Sequence, residues 1–303
     1  MDLTELLESG GYGPKLTVRS AWSDNLTSFC REHGIVELEL NMGKGWMGGP
    51  DLTFLKGLHN LRAFCISDVW TKDVSPIHSL HELESLTVWT WRNTPLLFEN
   101  FPKLRKCVFE WRSKFDTFFD CVSLQDLMVY AFKGKDTSLF SRLTNLRSLA
   151  IYNSPIADLS GLSSLKKLKK LDIALLCKLP SLAGIENLLS LEELRIDTSR
   201  KLTSIAEVSN LTNLRILDIT NCGDIESLKP LRKLHNLEEC YILQSTNIVD
   251  GDLSVLKTLP KLREHSFAER KHYSHNWADF GKHVDMKEVR RQIDEKLKRD
   301  IDQ

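Results

Sequence analysis

The sequence predicts an α/β repeat solenoid, with a parallel β-sheet on the concave face, short helical or 3₁₀ arcs on the convex face, and a cap at each end. Three observations predict it. The chain is similar to itself at intervals of 20–26 residues, each interval holds apolar residues that alternate as in a strand, and the segment after the strand carries apolar residues three apart.

The period is clearest from Leu146. LRSLAIYNSPIADLSGLSSLKK places apolar residues at Leu146, Leu149, Ile151, Ile156, Leu159, Leu162 and Leu165, and the next unit starts 22 residues on, at Leu168. The same frame recurs at Ile35/Leu38/Leu40, Leu61/Phe64/Ile66, Leu83/Leu86/Val88, Leu104/Cys107/Phe109 and Leu124/Leu127/Val129. Beyond Leu146/Leu149/Ile151 it continues at Leu168/Leu171/Ile173, Leu191/Leu194/Ile196, Leu214/Leu217/Ile219, Leu237/Cys240/Ile242 and Leu262/His265/Phe267, eleven units in all. Alternation at the fourth and sixth positions is a half-buried strand of period two. The return segment, as in Leu228, Leu231, Leu234 and Leu237, suits a 3₁₀-like or short helical arc. One unit cannot bury its own leucines, whereas stacked units share a continuous core.

Units such as LTNLRSLAIYNSPIADLSGLSSL and LTNLRILDITNCGDIESLKPLRKL resemble the short internalin-type repeats of bacterial leucine-rich-repeat proteins, over about residues 35–267. The resemblance implies a leucine-rich-repeat solenoid. For function it implies only a range of adhesion, recognition and inhibitory roles.

Composition narrows that range. Basic and acidic residues balance at 41 each, so no overall electropositive field favours nucleic acid or an anionic membrane. The N-terminal MDLTELLESGGYGPKL has no basic leader or apolar run, and no apolar stretch approaches the roughly 18 residues of a membrane span, so a cytoplasmic protein is expected. Seven scattered cysteines without a CxxC pair read as reduced thiols. Gly-rich phosphate loops, G-x-S-x-G and HExxH are missing, and His272 and His275 lack partners at a metal-ligand spacing, so neither an enzyme nor a cofactor is expected.

The flanks read as caps, residues 1–34 before the repeats at 35–267 and residues 268–303 after them. LTVRS from Leu16 alternates like a strand, and Ser23 or Asp24 is placed to N-cap a helix through Arg31 that stops near Gly34. The glycine-rich insert Asn41–Pro50 is a loop whose Trp46 serves either binding or the cap. Met286, Val289, Ile293 and Leu297 form one face of a charged C-terminal helix.

Strand alternation sends frame positions 3, 5 and 7 outward. Positions 5 and 7 bring Trp89, Val108, Glu110, Met128, Tyr130 and Tyr152 into one aromatic and apolar zone, followed by an acidic column of Asp172, Asp197 and Asp218 with Arg195 and, further on, Tyr241. Aromatic side chains of this kind are frequent anchors of protein interfaces, although lateral stacking also stabilises a sheet without any ligand. At position 9, usually Ser or Cys, Trp91, Arg112 and Phe132 break the column, so units three to five should be irregular. The lysines at 166, 167, 169 and 170 read as a solvated face.

The expected function is therefore a non-enzymatic interaction module that holds a protein ligand, with a basic surface, on its concave aromatic and acidic face. Neutralisation of a toxin or effector, as in an immunity-type protein, is a specialisation that the resemblance implies. The alternative is a scaffold acting through the C-terminal helix.

Overall fold

Each of the eleven leucine frames becomes a short strand. The computed structural model describes residues 7–48, 51–91, 94–113 and 115–280, in two units, Met1–Val129 and Tyr130–Gln303. The first unit holds β1 (Leu7–Ser9), β2 (Pro14–Val18), α1 (Asp24–Glu32), β3 (Glu37–Asn41), β4 (Ala63–Ser67), β5 (Ser85–Trp89), β6 (Lys106–Glu110) and nearly all of β7 (Asp126–Tyr130). The second holds β8 (Ser148–Tyr152), β9 (Lys170–Ala174), β10 (Glu193–Asp197), β11 (Ile216–Thr220), β12 (Asp224–Ile225), β13 (Glu239–Leu243), β14 (Asn247–Ile248), α2 (Val255–Thr258) and β15 (Glu264–Phe267). Sheet order follows chain order, with β12 and β14 paired apart from the main sheet. The fold is a leucine-rich-repeat solenoid.

Register follows the leucine frame. Fourth positions pair with fourth positions, Leu38 with Phe64 and Phe64 with Leu86 in the first unit, Leu149 through Leu171, Leu194 and Leu217 to Cys240 in the second. All are buried. A one-residue slip would carry every leucine to the solvent side, so the frame specifies the pairing. A second zipper joins the units before each strand, where two successive N–H groups share the carbonyl of the preceding unit. Glu192 and Glu193 on Lys169, and Arg215 and Ile216 on Glu192, are examples. Between strands, 3₁₀ arcs such as Ser160–Ser164 and Lys229–Lys233 each bury one leucine, Leu162 and Leu231.

The turn leaving the strand is the most regular feature of the second unit. Ala131, Asn153, Leu175, Thr198, Asn221 and Gln244, all at frame position 8, adopt φ of 49° to 59°. The first five donate their N–H to the position-7 carbonyl of the next unit, from Ala131 to Tyr152 at 2.8 Å through Asn221 to Leu243 at 3.3 Å. Asparagine tolerates this left-handed region, whereas a branched apolar residue is strained in it. Leu175 is also 41% exposed, so its side chain contributes little packing there. Leu175→Asn is expected to stabilise the protein by about 0.5–1 kcal/mol. A urea midpoint that stays put or falls would contradict that.

Beyond the irregular units, position 9 also departs from its column at Ser245. Ser154, Ser199 and Cys222 are buried as expected, but Ser245 is exposed and Thr246 takes the interior place. Thr246 Oγ1 donates to the Ile219 carbonyl at 2.9 Å and accepts from Cys222 N–H at 3.0 Å. The longer spacing to the next frame, 25 residues from Leu237 to Leu262, accommodates the added turn residue. In the irregular units Phe132 points inward and meets Phe140 edge-on, Arg112 folds back onto Glu110 and the Thr90 carbonyl, and Trp91 stands 73% exposed.

Described residues flank the repeats on both sides. At the start, a β1–β2 hairpin precedes the first frame, and Ser23 stands at the N-cap position of α1 without a side-chain bond to the helix. Trp46 is buried and its indole N–H donates to Asp68 Oδ2 at 2.9 Å, so this ring belongs to the structure of the loop and not to a binding surface. At the far end Trp277 Nε1 donates to the Phe267 carbonyl, and Phe280 packs against His265 and Phe267 where the leucine column ends. The helix expected over the last residues lies outside the described residues.

Candidate functional site

Most of the residues expected to face outward are half-exposed where the frame places them, whereas Ala150 and Leu243 in the same columns are buried. In the first unit Trp89, Val108, Glu110 and Met128 lie on β5, β6 and β7, with Glu110 bidentate to Arg112 at 2.7 and 2.9 Å. In the second unit Tyr130 accepts from Asn153 Nδ2 at 3.0 Å. There the position-5 residues of four adjacent strands, Asp172, Arg195, Asp218 and Tyr241, are paired in strict register.

This column is an electrostatic device. Arg195 stands between Asp172 and Asp218 with 29% of its side chain exposed, and its nearest ion contact is a loose one to Glu193, at 3.8 Å. Tyr152 donates to Asp172 Oδ2 at 2.9 Å, and Thr220 donates to Asp218 Oδ1 at 2.6 Å. Burial pushes both carboxyls up in pKa, Asp218 to about 6, against the opposing pull of those hydroxyls and of Arg195. The Tyr152 phenol is also raised, by burial first and by the Asp172 charge second. Asp197, at position 7, is exposed and takes the Thr198 hydroxyl at 2.7 Å.

Tyr241 corrects the outward reading. It sits in register but is only 7% exposed, and its hydroxyl lies 3.3 and 3.0 Å from Glu239 and Glu264. It offers little surface to a partner. Those glutamates, with Lys170 and Glu193 (paired at 3.0 Å), occupy position 3, a column that faces outward by the same alternation and adds charged side chains to the site. The four lysines at 166–170 are tied to neighbours as a solvated face would be: Lys167 to Asn145 at 2.7 Å and Lys169 to Glu192 at 2.7 Å are two of these contacts.

Among the described residues no three His, Cys, Asp or Glu side chains converge as metal ligands. His272 Nε2 lies 2.9 Å from the Ile248 carbonyl and His275 Nδ1 2.7 Å from Ser274 Oγ, so both rings are engaged in the cap.

The raised Asp218 pKa makes stability depend on pH. Its folded value lies above the ordinary carboxylate value of 3.8, so the protonated form is favoured by folding; the contribution is complete below about pH 4 and lost as pH rises through 6. Asp218→Asn removes that loss. From pH 4 to pH 7 the stability of this variant relative to the parent should rise by about 2 kcal/mol, read from urea unfolding at each pH. A constant difference would show that Asp218 titrates normally.

No protein-family model matches the sequence, and no curated protein matches it. Solved structures do share the fold. An internalin from Listeria monocytogenes aligns at 22% identity and a TM-score of 0.57, covering 73% of this chain and 72% of that one. The leucine-rich-repeat domain of the type III effector XopL aligns at 20% identity and 0.52, covering 74% and 79%. The plant peptide hormone receptor RGFR1, solved in complex with RGF2, aligns at 15% identity and 0.54, covering 88% of this chain and 48% of that one.

Proposed function

We propose that the chain is a non-enzymatic, protein-binding module whose open sheet face takes a protein ligand with a basic surface. The observation that carries this reading is the Asp172–Arg195–Asp218 column. Two carboxyls, each bonded to one neighbouring hydroxyl, flank a single guanidinium that makes no close ion pair, and Glu193 and Asp197 add negative charge on the same strand as Arg195. An incoming lysine or arginine would stabilise the ionised carboxylates that burial disfavours, and the surrounding negative field would steer it. Tyr130 and Tyr152 in the second unit, and Trp89, Val108, Glu110 and Met128 in the first, are proposed as contact residues. Exposed aromatic side chains contribute large contact areas at small entropic cost. The plant receptor structure supports a polypeptide as the ligand class for this fold. A cytoplasmic site of action in a bacterium and neutralisation of a toxin or effector belong to the same reading, and rest on the sequence.

The test is affinity capture from the native cell, followed by purified binding with the captured protein. Asp172→Asn with Asp218→Asn should weaken binding at least tenfold at pH 7, and parent affinity should increase from pH 5 to pH 7 as Asp218 ionises. Equal binding by the parent and by this double variant, Trp89→Ala and Tyr130→Ala would sink the proposal.

A further inference from the structure

The first unit has a second surface, away from the acidic column. Met47, Trp70 and Trp91 are 75%, 65% and 73% exposed, three of the most exposed large apolar side chains among the described residues. All three follow strands of successive frames, β3, β4 and β5, at the same end of each strand. Those strands are paired in register, Asn41 with Ser67 and Ser67 with Trp89, so the three turns are neighbours. With strands about 4.8 Å apart, the turns span roughly 10 Å along the sheet.

These exposures are built in. The loop carrying Met47 is held by the Asn41 side chain on Gly43 N–H at 2.8 Å, by Trp46 N–H on the Asn41 carbonyl at 3.0 Å, and by the buried Trp46 indole on Asp68. Asp68 also accepts from the Trp70 N–H at 2.6 Å, and its own N–H donates to the Trp89 carbonyl at 3.0 Å. A Cβ placed on Gly48 would lie 4.0 Å from Trp70 Cδ1, so loop and ring adjoin. One buried carboxylate thus fixes the backbone from which the apolar side chains project.

The chemistry of this edge favours a lipid surface over a protein. Within segments 42–48, 67–74 and 88–91 the carboxylates are Asp68 and Asp73; the first is buried, the second is bonded to the Ser75 N–H and hydroxyl, and the cations are Lys44 and Lys72. The charges of these segments balance, two carboxylates against two cations, so no net negative charge repels a headgroup. The indole N–H groups of Trp70 and Trp91 make no hydrogen bond among the described residues, and an apolar ring with a free N–H is the side chain suited to the boundary between acyl chains and headgroups. No helix of the described residues is long and apolar enough to cross a membrane, so the contact is with the surface.

We propose that the edge formed by Met47, Trp70 and Trp91 docks the protein on a phospholipid bilayer, through insertion of apolar side chains and not through net charge. The zero formal charge of the chain fits that mode.

The full chain should float with phosphatidylcholine vesicles in a density gradient, and brominated phosphatidylcholine should quench part of its tryptophan emission. Met47→Ser with Trp70→Ala and Trp91→Ala should lower the bound fraction at least tenfold and abolish the quenching, with an unchanged circular dichroism spectrum. Raising NaCl from 0.1 to 0.5 M should change parent binding less than twofold. The proposal fails if the parent does not float, if the triple variant floats equally, or if salt alone releases it. It also fails if the triple variant loses a captured protein partner while the parent ignores vesicles. Asp172→Asn with Asp218→Asn should leave flotation unchanged, which separates this surface from the ligand face.

Discussion

Phe98→Ala is expected to lower the free energy of unfolding by about 3–5 kcal/mol. Phe98 opens the arc Phe98–Asn100 and is 1% exposed. Its ring centroid lies 5.2 Å from that of Phe118, 5.8 Å from Phe109, 6.0 Å from Phe115 and 6.1 Å from Phe101, with three of the four contacts edge-on. The other units use leucine or another smaller apolar residue at the corresponding place, except for Phe118 and Phe140, so this part of the first unit is a phenylalanine core inside a leucine solenoid. Removing one ring leaves a cavity walled by other rigid rings, which collapse poorly around it. Each repeat is stable only through its neighbours, so the loss falls on the interfaces to both sides. Trp91→Ala, at an exposed site, should stay within about 0.5 kcal/mol. Urea unfolding of both variants reads the contrast, and a loss under about 1.5 kcal/mol for Phe98→Ala would show that the cluster repacks.

The period, the strands and their register are legible in the sequence because one rule, alternation within a fixed frame, determines all three. Legibility fails where the chain leaves the frame. Phe132 and Trp91 both occupy position 9, yet the first is buried and the second exposed. Ala131 takes φ of 58° ahead of Phe132, whereas Thr90 is not among the described residues with positive φ, but Gln244 at 56° is followed by the exposed Ser245, so the turn alone does not decide which way position 9 faces. Residue type at position 8 does not announce this, since alanine, leucine, threonine and glutamine adopt the left-handed turn here as well as asparagine. Hydrogen bonding to the next unit does not decide it either, since Asp68 makes the same bond to the Trp89 carbonyl at 3.0 Å and is not among the described residues with positive φ.

The same limit applies to the site. Alternation identifies which side chains of the acidic column face outward, and Asp172, Arg195 and Asp218 do so. It carries no information about how far a neighbour covers them. Tyr241 follows the rule and is nevertheless buried beside Glu239 and Glu264. Nor does it say that Asp172 and Asp218 would share one arginine, an arrangement that arises only when three strands align. The first strand of the β1–β2 hairpin is illegible for a related reason. That strand, Leu7–Ser9, is short, exposed and without alternation.

Asp68→Ala is expected to cost about 3–5 kcal/mol, and Asp68→Asn about 2–4 kcal/mol. The Asp68 carboxylate is almost fully buried and accepts four bonds: Trp46 Nε1 at 2.9 Å and Thr71 Oγ1 at 2.8 Å on one oxygen, Trp70 N–H at 2.6 Å and Thr71 N–H at 3.3 Å on the other. Alanine would leave four donors facing a space without an acceptor. Asparagine keeps the shape but presents an amide N–H₂ to donors that need a lone pair, so it relieves only part of the loss. The local consequence separates this from a general loss of stability. Because Asp68 ties loop 42–48 to the turn after β4, either substitution should release Trp46 from its pocket, shift tryptophan emission to the red and raise hydrogen exchange in residues 42–48 well below the unfolding midpoint. The arrangement of Met47 and Trp70 should loosen with it, so vesicle binding should fall although neither side chain is changed. Full stability and unchanged emission in Asp68→Asn would show that the carboxylate is not the anchor of this edge.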